Sequence, residues 1–370
     1  MTHRYACLLG NGFALQYEPS LSVYQLTADL QNKFQTLGGP PGSLKGIPQF
    51  ASRPGDSFEE MLGPIEAAGD VARELRRLSR LSSDHLLRLK INDTANFAAL
   101  VHRVGMATVL DLIAARSAGV GAVALQPLVD FAAALTTLVV GRADDLVLGT
   151  LNYDGLTHAA LLDAQPGLCD LAVGWGRGSK QPVPGVSSFA HQLRTEDNFV
   201  AGQTLLLQLH GSLGWLRSAN GNVWKFSIDD LRINGYWRSL ERGTTSWEPV
   251  VVLTDRKERT IESDPFRFAY SVFEDRLRAS DRWLIAGYGR GDTPVNELLR
   301  RAWSARRRSG TAAGTRVLVV EHSGCGLTKT QVRSDLAQKT GIARAQIAVT
   351  KAGISGAPGT TEWSAWSDDR

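Results

Sequence analysis

Apolar residues along the chain fall into short unbroken runs and into runs spaced by three and four. Tyr5 to Leu9 is an unbroken run, which predicts a buried strand, and it leads straight into Gly10-Asn11-Gly12. Residues 38–57 are rich in Gly and Pro and predict a mobile loop. From about Ser57 to Arg142 the spacing becomes helical. Met61, Ile65, Ala68, Val71, Leu75 and Leu78 recur at helical steps, with Arg73, Arg76, Arg77 and Arg80 on the polar side. Further helices are expected near Thr94–Ser117 and Gln126–Val140, and no strand-like run interrupts the block, so it predicts an all-helical insert.

Strands and helices then alternate. Strands are expected at Leu146–Leu151, Leu205–Leu209, Val250–Leu253, Trp283–Ala286, Arg316–Val320 and Gln346–Thr350. Helices are expected at Leu156–Asp163, Pro265–Leu277, Pro294–Arg307 and Lys329–Lys339, with Thr293 as the N-cap of the third. Residues 174–203 read as a long loop, and Ser355–Arg370 as a polar, disordered tail. Strands separated by helices predict an α/β fold: a doubly wound, mostly parallel Rossmann-like sheet carrying an inserted all-helical subdomain. The division expected is 1–56 (first strand, nucleotide loop and Gly/Pro-rich segment), 57–142 (helical insert), 143–354 (the rest of the nucleotide-binding domain) and 355–370 (tail).

Ligands of such folds sit at the carboxyl ends of the strands, and four strand ends carry unusual residues. Gly10, Asn11, Gly12 and Phe13 follow the first strand. Their glycines suit either a plain tight turn or a backbone approach to a pyrophosphate. Thr150, Asn152 and Asp154 alternate onto one side of the chain. They could grip ribose hydroxyls, or Asp154 could simply cap the next helix. His210 ends the most apolar strand beside Gly211, where a histidine is a ready base at neutral pH. The other six histidines, including His85 and His102, read as surface or packing residues. Gly287, Tyr288, Gly289 and Asp292 form a second candidate nucleotide cradle before a capped helix. Glu321 ends the neighbouring strand, as a surface carboxylate or a ribose acceptor.

Composition narrows the setting. Apolar residues make up 43% of the 370, ample for a large core. The net charge of +4 favours a phosphate-rich ligand but is too mild to argue for nucleic-acid binding. Cys7, Cys169 and Cys325 are few and scattered, which suits a reducing cytoplasm and cannot supply a Cys₄ zinc site. The first residues, Met1-Thr2-His3-Arg4, do not resemble a signal peptide, and no window was expected to approach a membrane span.

In this order the motifs resemble the sirtuin family. Gly10-Asn11-Gly12 is similar to its Gly-Ala-Gly turn, Thr150-Leu151-Asn152-Tyr153-Asp154 to its Thr-Gln-Asn-Ile-Asp signature, His210-Gly211 to its catalytic His-Gly pair, and Gly287-Tyr288-Gly289 to its Gly-Thr-Ser turn. A bacterial anti-phage-defence branch looks nearer still. The likeness rests on Gly10 to Phe13, on Phe58-Glu59-Glu60-Met61-Leu62, on Leu209 to Leu213, and on Tyr288 with Asp292 and Asn296. It spans roughly residues 5–325. Asn11, Leu151 and Gly289 depart from the family pattern, and the two zinc-binding CxxC pairs are missing.

The resemblance implies an NAD-hydrolysing enzyme that takes NAD as its substrate, without zinc. It implies Asn152, His210 and Asp154 as catalytic residues. It places Gly10, Asn11, Gly12, Phe13, Thr150, Gly287, Tyr288, Gly289, Asp292 and Glu321 around the nucleotide. Products would be nicotinamide and ADP-ribose, and the setting abortive-infection antiviral defence in the cytoplasm. Because such an enzyme needs an off state, a homo-oligomer or a partner such as a HerA-type ATPase is expected; related proteins also occur with short Argonautes. Nucleic acid would engage at most through a partner, and no membrane is expected. The alternatives are an NAD-dependent deacylase or ADP-ribosyltransferase, or a non-catalytic module that binds NAD or ADP-ribose for a partner.

Overall fold

The computed structural model describes residues 3–14, 19, 25–29, 32, 58–139, 145–164, 168–172, 178–180, 189–197, 199, 204–253 and 257–367. The Gly/Pro-rich loop expected at 38–57 lies outside them.

The centre is a six-stranded sheet in the order β11-β10-β9-β1-β2-β5. Its strands are β1 (Arg4–Leu9), β2 (Asp145–Thr150), β5 (Thr204–Gln208), β9 (Arg282–Ala286), β10 (Arg316–Val320) and β11 (Ile347–Thr350). Every neighbouring pair is parallel. This is the doubly wound arrangement expected from sequence, with the chain reversing direction across the sheet between β1 and β9. Because both faces are covered, the strands are apolar almost throughout. Tyr5, Cys7 and Leu9 point into one core with Leu146, Leu148 and Phe131. Ala6 and Leu8 point into the other with Val147, Phe273 and Leu298.

The helical block consists of α2 (Phe58–Ser79), α3 (His85–Gly119) and α4 (Ala122–Thr137), following the one-turn α1 (Asn11–Ala14). The two stretches expected around 94–140 are therefore one long helix and one shorter one. The buried face of α2 differs from the expected stripe. Val71 and Leu78 are about half exposed (49% and 47%), whereas Gly69, Ala72 and Ser79 are buried. Small residues win this face because α2 lies close against α3: a Cβ on Gly69 would sit 2.9 Å from the His102 ring. Contrary to the expectation of no span-like window, α3 holds an 18-residue stretch of mean hydropathy 1.6. Of that stretch 47% is buried within the protein, where α3 packs on α2 and on α7 (Tyr236–Arg242).

A second, antiparallel sheet was not anticipated. Its order is β3-β4-β7-β6-β8, formed by β3 (Gly178–Lys180), β4 (Phe189–Gln192), β7 (Val223–Lys225), β6 (Gly211–Arg217) and β8 (Glu248–Val251). Two expectations change accordingly. Part of the 174–203 loop is strand, and the strand expected at Val250–Leu253 pairs antiparallel with β6 rather than joining the parallel sheet. The chain passes from the parallel sheet to the second one at His210-Gly211, where Gly211 adopts φ +81°.

The remaining helices are α5 (Leu156–Ala164), α6 (Ile228–Ile233), α8 (Lys257–Ile261), α9 (Phe266–Ala279), α10 (Thr293–Arg308), α11 (Lys329–Thr340), α12 (Gly353–Gly356) and α13 (Thr361–Ser367). The expected disordered tail is ordered through Ser367. Trp363 and Trp366 on α13 are buried, 6% and 2% exposed, and form an edge-to-face chain with Phe131 and Tyr5. Two large indoles outweigh the polar composition around them.

Candidate functional site

The strand ends expected to carry chemistry meet along one edge of the parallel sheet. The ladder continues one residue beyond each strand: Gly10 N donates to Ala286 O, Leu151 N to Leu9 O, Leu209 N to Thr150 O, Gly287 N to Val320 O and Glu321 N to Thr350 O. Asn152 and His210 are the next residues on adjacent strands, at the carboxyl edge.

The two glycine turns are fitted to each other. Gly12 N donates to Gly287 O at 2.9 Å and Phe13 N to Gly10 O at 3.0 Å. A Cβ on Gly10 would lie 2.5 Å from Gly287 O, and one on Gly287, at φ +62°, would lie 2.0 Å from Phe13 N. Close backbone crossing therefore explains these glycines without a phosphate, and the N–H groups of Gly10, Gly12 and Phe13 already have acceptors. The Phe13 ring is core, stacked edge-on against Phe131 at 5.5 Å, while Asn11 and Gly289 are exposed.

Thr150 shapes the next turn, its hydroxyl accepting from Asn152 N at 3.1 Å. The Asn152 side chain is 4% exposed, and neither its amide Oδ1 nor its Nδ2 has a hydrogen-bond partner. A buried carboxamide in that state costs about 1–3 kcal/mol per unsatisfied group, which suits a residue awaiting a ligand. Asp154 takes the cap role: its Oδ1 accepts from Leu156 N at 2.9 Å. Burial pushes its carboxyl up to about 6, partly opposed by that bond. It also lines a cavity of about 390 Å³ with His158, Gln208, Ser212 and Lys225.

His210 is 4% exposed and held from behind, its carbonyl accepting from Val252 N at 2.9 Å. Its Nε2 lies 3.3 Å from Asp292 Oδ2, and Lys257 Nζ lies 2.9 Å from that same oxygen. The His210 contact is poorly aligned for a hydrogen bond, leaving Nε2 without a formal partner. Asp292 rather than Thr293 is the N-cap of α10, its Oδ1 accepting from Val295 N at 3.1 Å. Burial alone would raise the Asp292 carboxyl, but His210 and Lys257 outweigh it and hold the group well below the usual carboxylate range. Asp292 is thus a fixed anion joining a helix start to the histidine.

The second glycine turn is braced from within. The Tyr288 hydroxyl lies 2.9 Å from Asp292 O and 3.0 Å from Asn296 Oδ1. Glu321 is not a free surface carboxylate: it is buried and its Oε1 pairs with Arg290. Arg290 is 4% exposed, adopts φ +61°, and also bonds Asp335 Oδ2 at 2.9 Å and Tyr288 O at 2.8 Å. A non-glycine residue there is uncommon and strained, and these ion pairs hold it in place. Arg290 and Lys257 were missed from sequence. Arg290 sits inside the glycine turn itself and could have been suspected; Lys257 reaches Asp292 from a separate helix, and no spacing links the two.

No family model and no curated protein matches the chain. Among solved structures it is similar to a Sir2 in complex with the inhibitor EX-527, 2'-O-acetyl-ADP-ribose and a deacetylated p53 peptide. The identity there is 10%, with 96% of this chain and 91% of that one covered, at a TM-score of 0.36. It is similar also to a second Sir2 structure, described in terms of mechanism and regulation, at 11% identity, 99% and 93% coverage and a TM-score of 0.32. Likenesses this loose carry no argument. The fold rests on the strand order and register above.

Proposed function

We propose that the protein is a sirtuin-like enzyme that cleaves the nicotinamide–ribose bond of NAD by hydrolysis. The observation that carries this reading is Asn152: a buried carboxamide with an unpartnered donor and an unpartnered acceptor, beside His210 at the carboxyl edge of a doubly wound sheet. A ribose presents hydroxyls that both give and accept, so it can satisfy both halves of the amide.

Nicotinamide leaves as a neutral group, so its departure needs no general acid, and positive charge develops at the ribose carbon, as in glycoside cleavage. Asn152 would hold the ribose hydroxyls and the incoming water. His210 would take a proton from the water or a ribose hydroxyl, with Asp292 fixing its ring. Asp154, already a helix cap, would act by holding the Asn152 turn. The glycine turns would shape the crevice through their mutual contact and leave phosphate binding to other groups. The finer expectations, an NAD-depleting role in anti-phage defence and an assembly with a HerA-type ATPase, rest on the motif resemblance alone.

Incubating the purified protein with NAD and following nicotinamide by chromatography tests the reading, alone and with any co-expressed partner. Release by wild type and its loss in Asn152→Ala support it. No release under either condition, or release that survives the substitution, rejects it.

A further inference from the structure

A cavity of about 990 Å³ is at the opposite edge of the sheet from Asn152 and His210. It opens at the amino ends of β9, β10 and β11, beneath α13. Arg282 and Arg316 begin two of those strands, Arg344 precedes the third, and Arg333 reaches in from α11. The one carboxylate on the wall, Glu362, is already paired with Lys329 at 2.6 Å. Arg282 is likewise paired, its Nη1 lying 2.7 Å from Asp281 Oδ2, and Arg316 bonds Ala365 O, which leaves Arg333 and Arg344 as the cations the wall offers to a ligand. Arg282 is 4% exposed. The Nε of Arg333 and the indole Nε1 of Trp366 are buried donors with no hydrogen-bond partner. Thr315, Thr360, Thr361 and Ser364 add hydroxyls to the same wall.

We propose that this cavity binds a compact polyphosphorylated small molecule, of the size of a nucleoside polyphosphate, at a site separate from the catalytic crevice. Guanidinium forks with hydroxyls are the chemistry that recognises phosphate oxygens. The volume lies at the upper end of small-ligand pockets. The cations gather at one set of strand starts, Arg282 and Arg316 being partners in the β9–β10 register, which favours a compact anion over a strand of nucleic acid. Nothing in this argument depends on NAD cleavage.

The test is calorimetric titration of the full chain with sodium tripolyphosphate at low ionic strength. Saturable binding at one site is expected. Arg333→Glu with Arg344→Glu should weaken it about tenfold or more, since charge-assisted bonds are lost and repulsion is added. Arg88→Glu with Lys90→Glu makes the same charge change on the exposed start of α3, which contributes no residue to the cavity wall, and should leave it within about twofold, because screening removes distant charge effects. Arg333→Lys with Arg344→Lys keeps the charge and the fold and should give an intermediate loss, so a misfolded Glu variant does not decide the matter. No saturable binding, or equal losses in the two Glu pairs, overturns the proposal. So does a single-stranded oligonucleotide that binds through Arg333 and Arg344 more tightly than tripolyphosphate.

Discussion

Two clusters in this molecule are built from the same three residue types. At the carboxyl edge of the sheet, Asp292 lies between His210 and Lys257 and touches both with one oxygen. In the smaller cavity below α5 a carboxylate also reaches both partners: Asp170 Oδ2 lies 3.5 Å from His158 Nε2 and bonds Lys225, while its Oδ1 accepts from Ala172 N. There, however, Lys225 Nζ itself comes within 3.1 Å of His158 Nε2. That approach of the lysine to the ring sets the chemistry. Burial first, and then the Lys225 charge, push His158 down to about 4, with Asp170 only partly opposing. A base that weak is poorly matched to work at neutral pH. His210 has a carboxylate against its ring and an unsatisfied carboxamide on the next strand. Composition makes the clusters equivalent, whereas neighbours make one a candidate site and the other a structural tie between α5 and β7.

The comparison breaks if the wrong cluster is removed without consequence. Asn152→Ala and His210→Ala should each reduce nicotinamide release by about 10²- to 10⁴-fold, the usual worth of a positioned acid or base, with melting behaviour retained. His158→Ala should leave turnover close to wild type. Steady-state rates of the three variants on NAD decide it. Equal losses in all three would make the two clusters one functional unit, and the distinction drawn here would fall.

A smaller effect is expected at Asp292. Asp292→Asn can still cap α10, because asparagine is as good an N-cap as aspartate, so folding should survive. The substitution removes the anion between His210 and Lys257. Loss of such an orienting partner typically costs about 10- to 100-fold, and it should also displace the acidic limb of the pH–rate profile. A purely structural role would lower the amount of folded protein and leave that limb where it was.

The parts of this architecture that could be read from sequence are those where one period dominates. The apolar runs at Tyr5–Leu9, Leu205–Leu209 and Arg316–Val320 match buried strands, and their glycine and polar ends mark the edge that carries the candidate site. What could not be read depends on contacts between distant residues. The pairing of β6 with β8 needs residues about 35 positions apart, and neither strand alternates cleanly. The mutual fit of Gly10 and Gly287 looks in sequence like two phosphate loops, because a close approach of backbone to backbone calls for the same residue as an approach to a ligand. Trp363 and Trp366 were masked by the polar text around them. The buried face of α2 was misassigned because large apolar residues were weighted over the small ones that allow helices to approach. Lys257 and Arg290 are charges whose meaning appears only with their partners.

The smallest effect separates the clusters by pH, and it is hidden in the wild-type protein. Asp154 and His158 lie four residues apart at the start of α5, the first buried and the second half-buried. Asp154 has a folded value of about 6 against an ordinary 3.8. Between those values the folded state binds more protons than the unfolded one, so stability falls as pH rises. His158 has a folded value of about 4 against an ordinary 6.5. Between those values the unfolded state binds more protons, so stability rises with pH. The two windows overlap from about pH 4 to 6, and the slopes oppose each other. Each contribution is about 1–3 kcal/mol, and wild type should show little net dependence from this pair. Asp154→Asn keeps the cap on Leu156 and should unmask the histidine, so that stability climbs from pH 4 to 6.5 relative to wild type. His158→Gln keeps an acceptor for Lys225 and should unmask the aspartate, so that stability drops across pH 4 to 6 relative to wild type. Urea unfolding at intervals of half a pH unit reads both. Slopes of the same sign in the two variants would mean that burial does not set these groups as described, and His158 would then become a possible base.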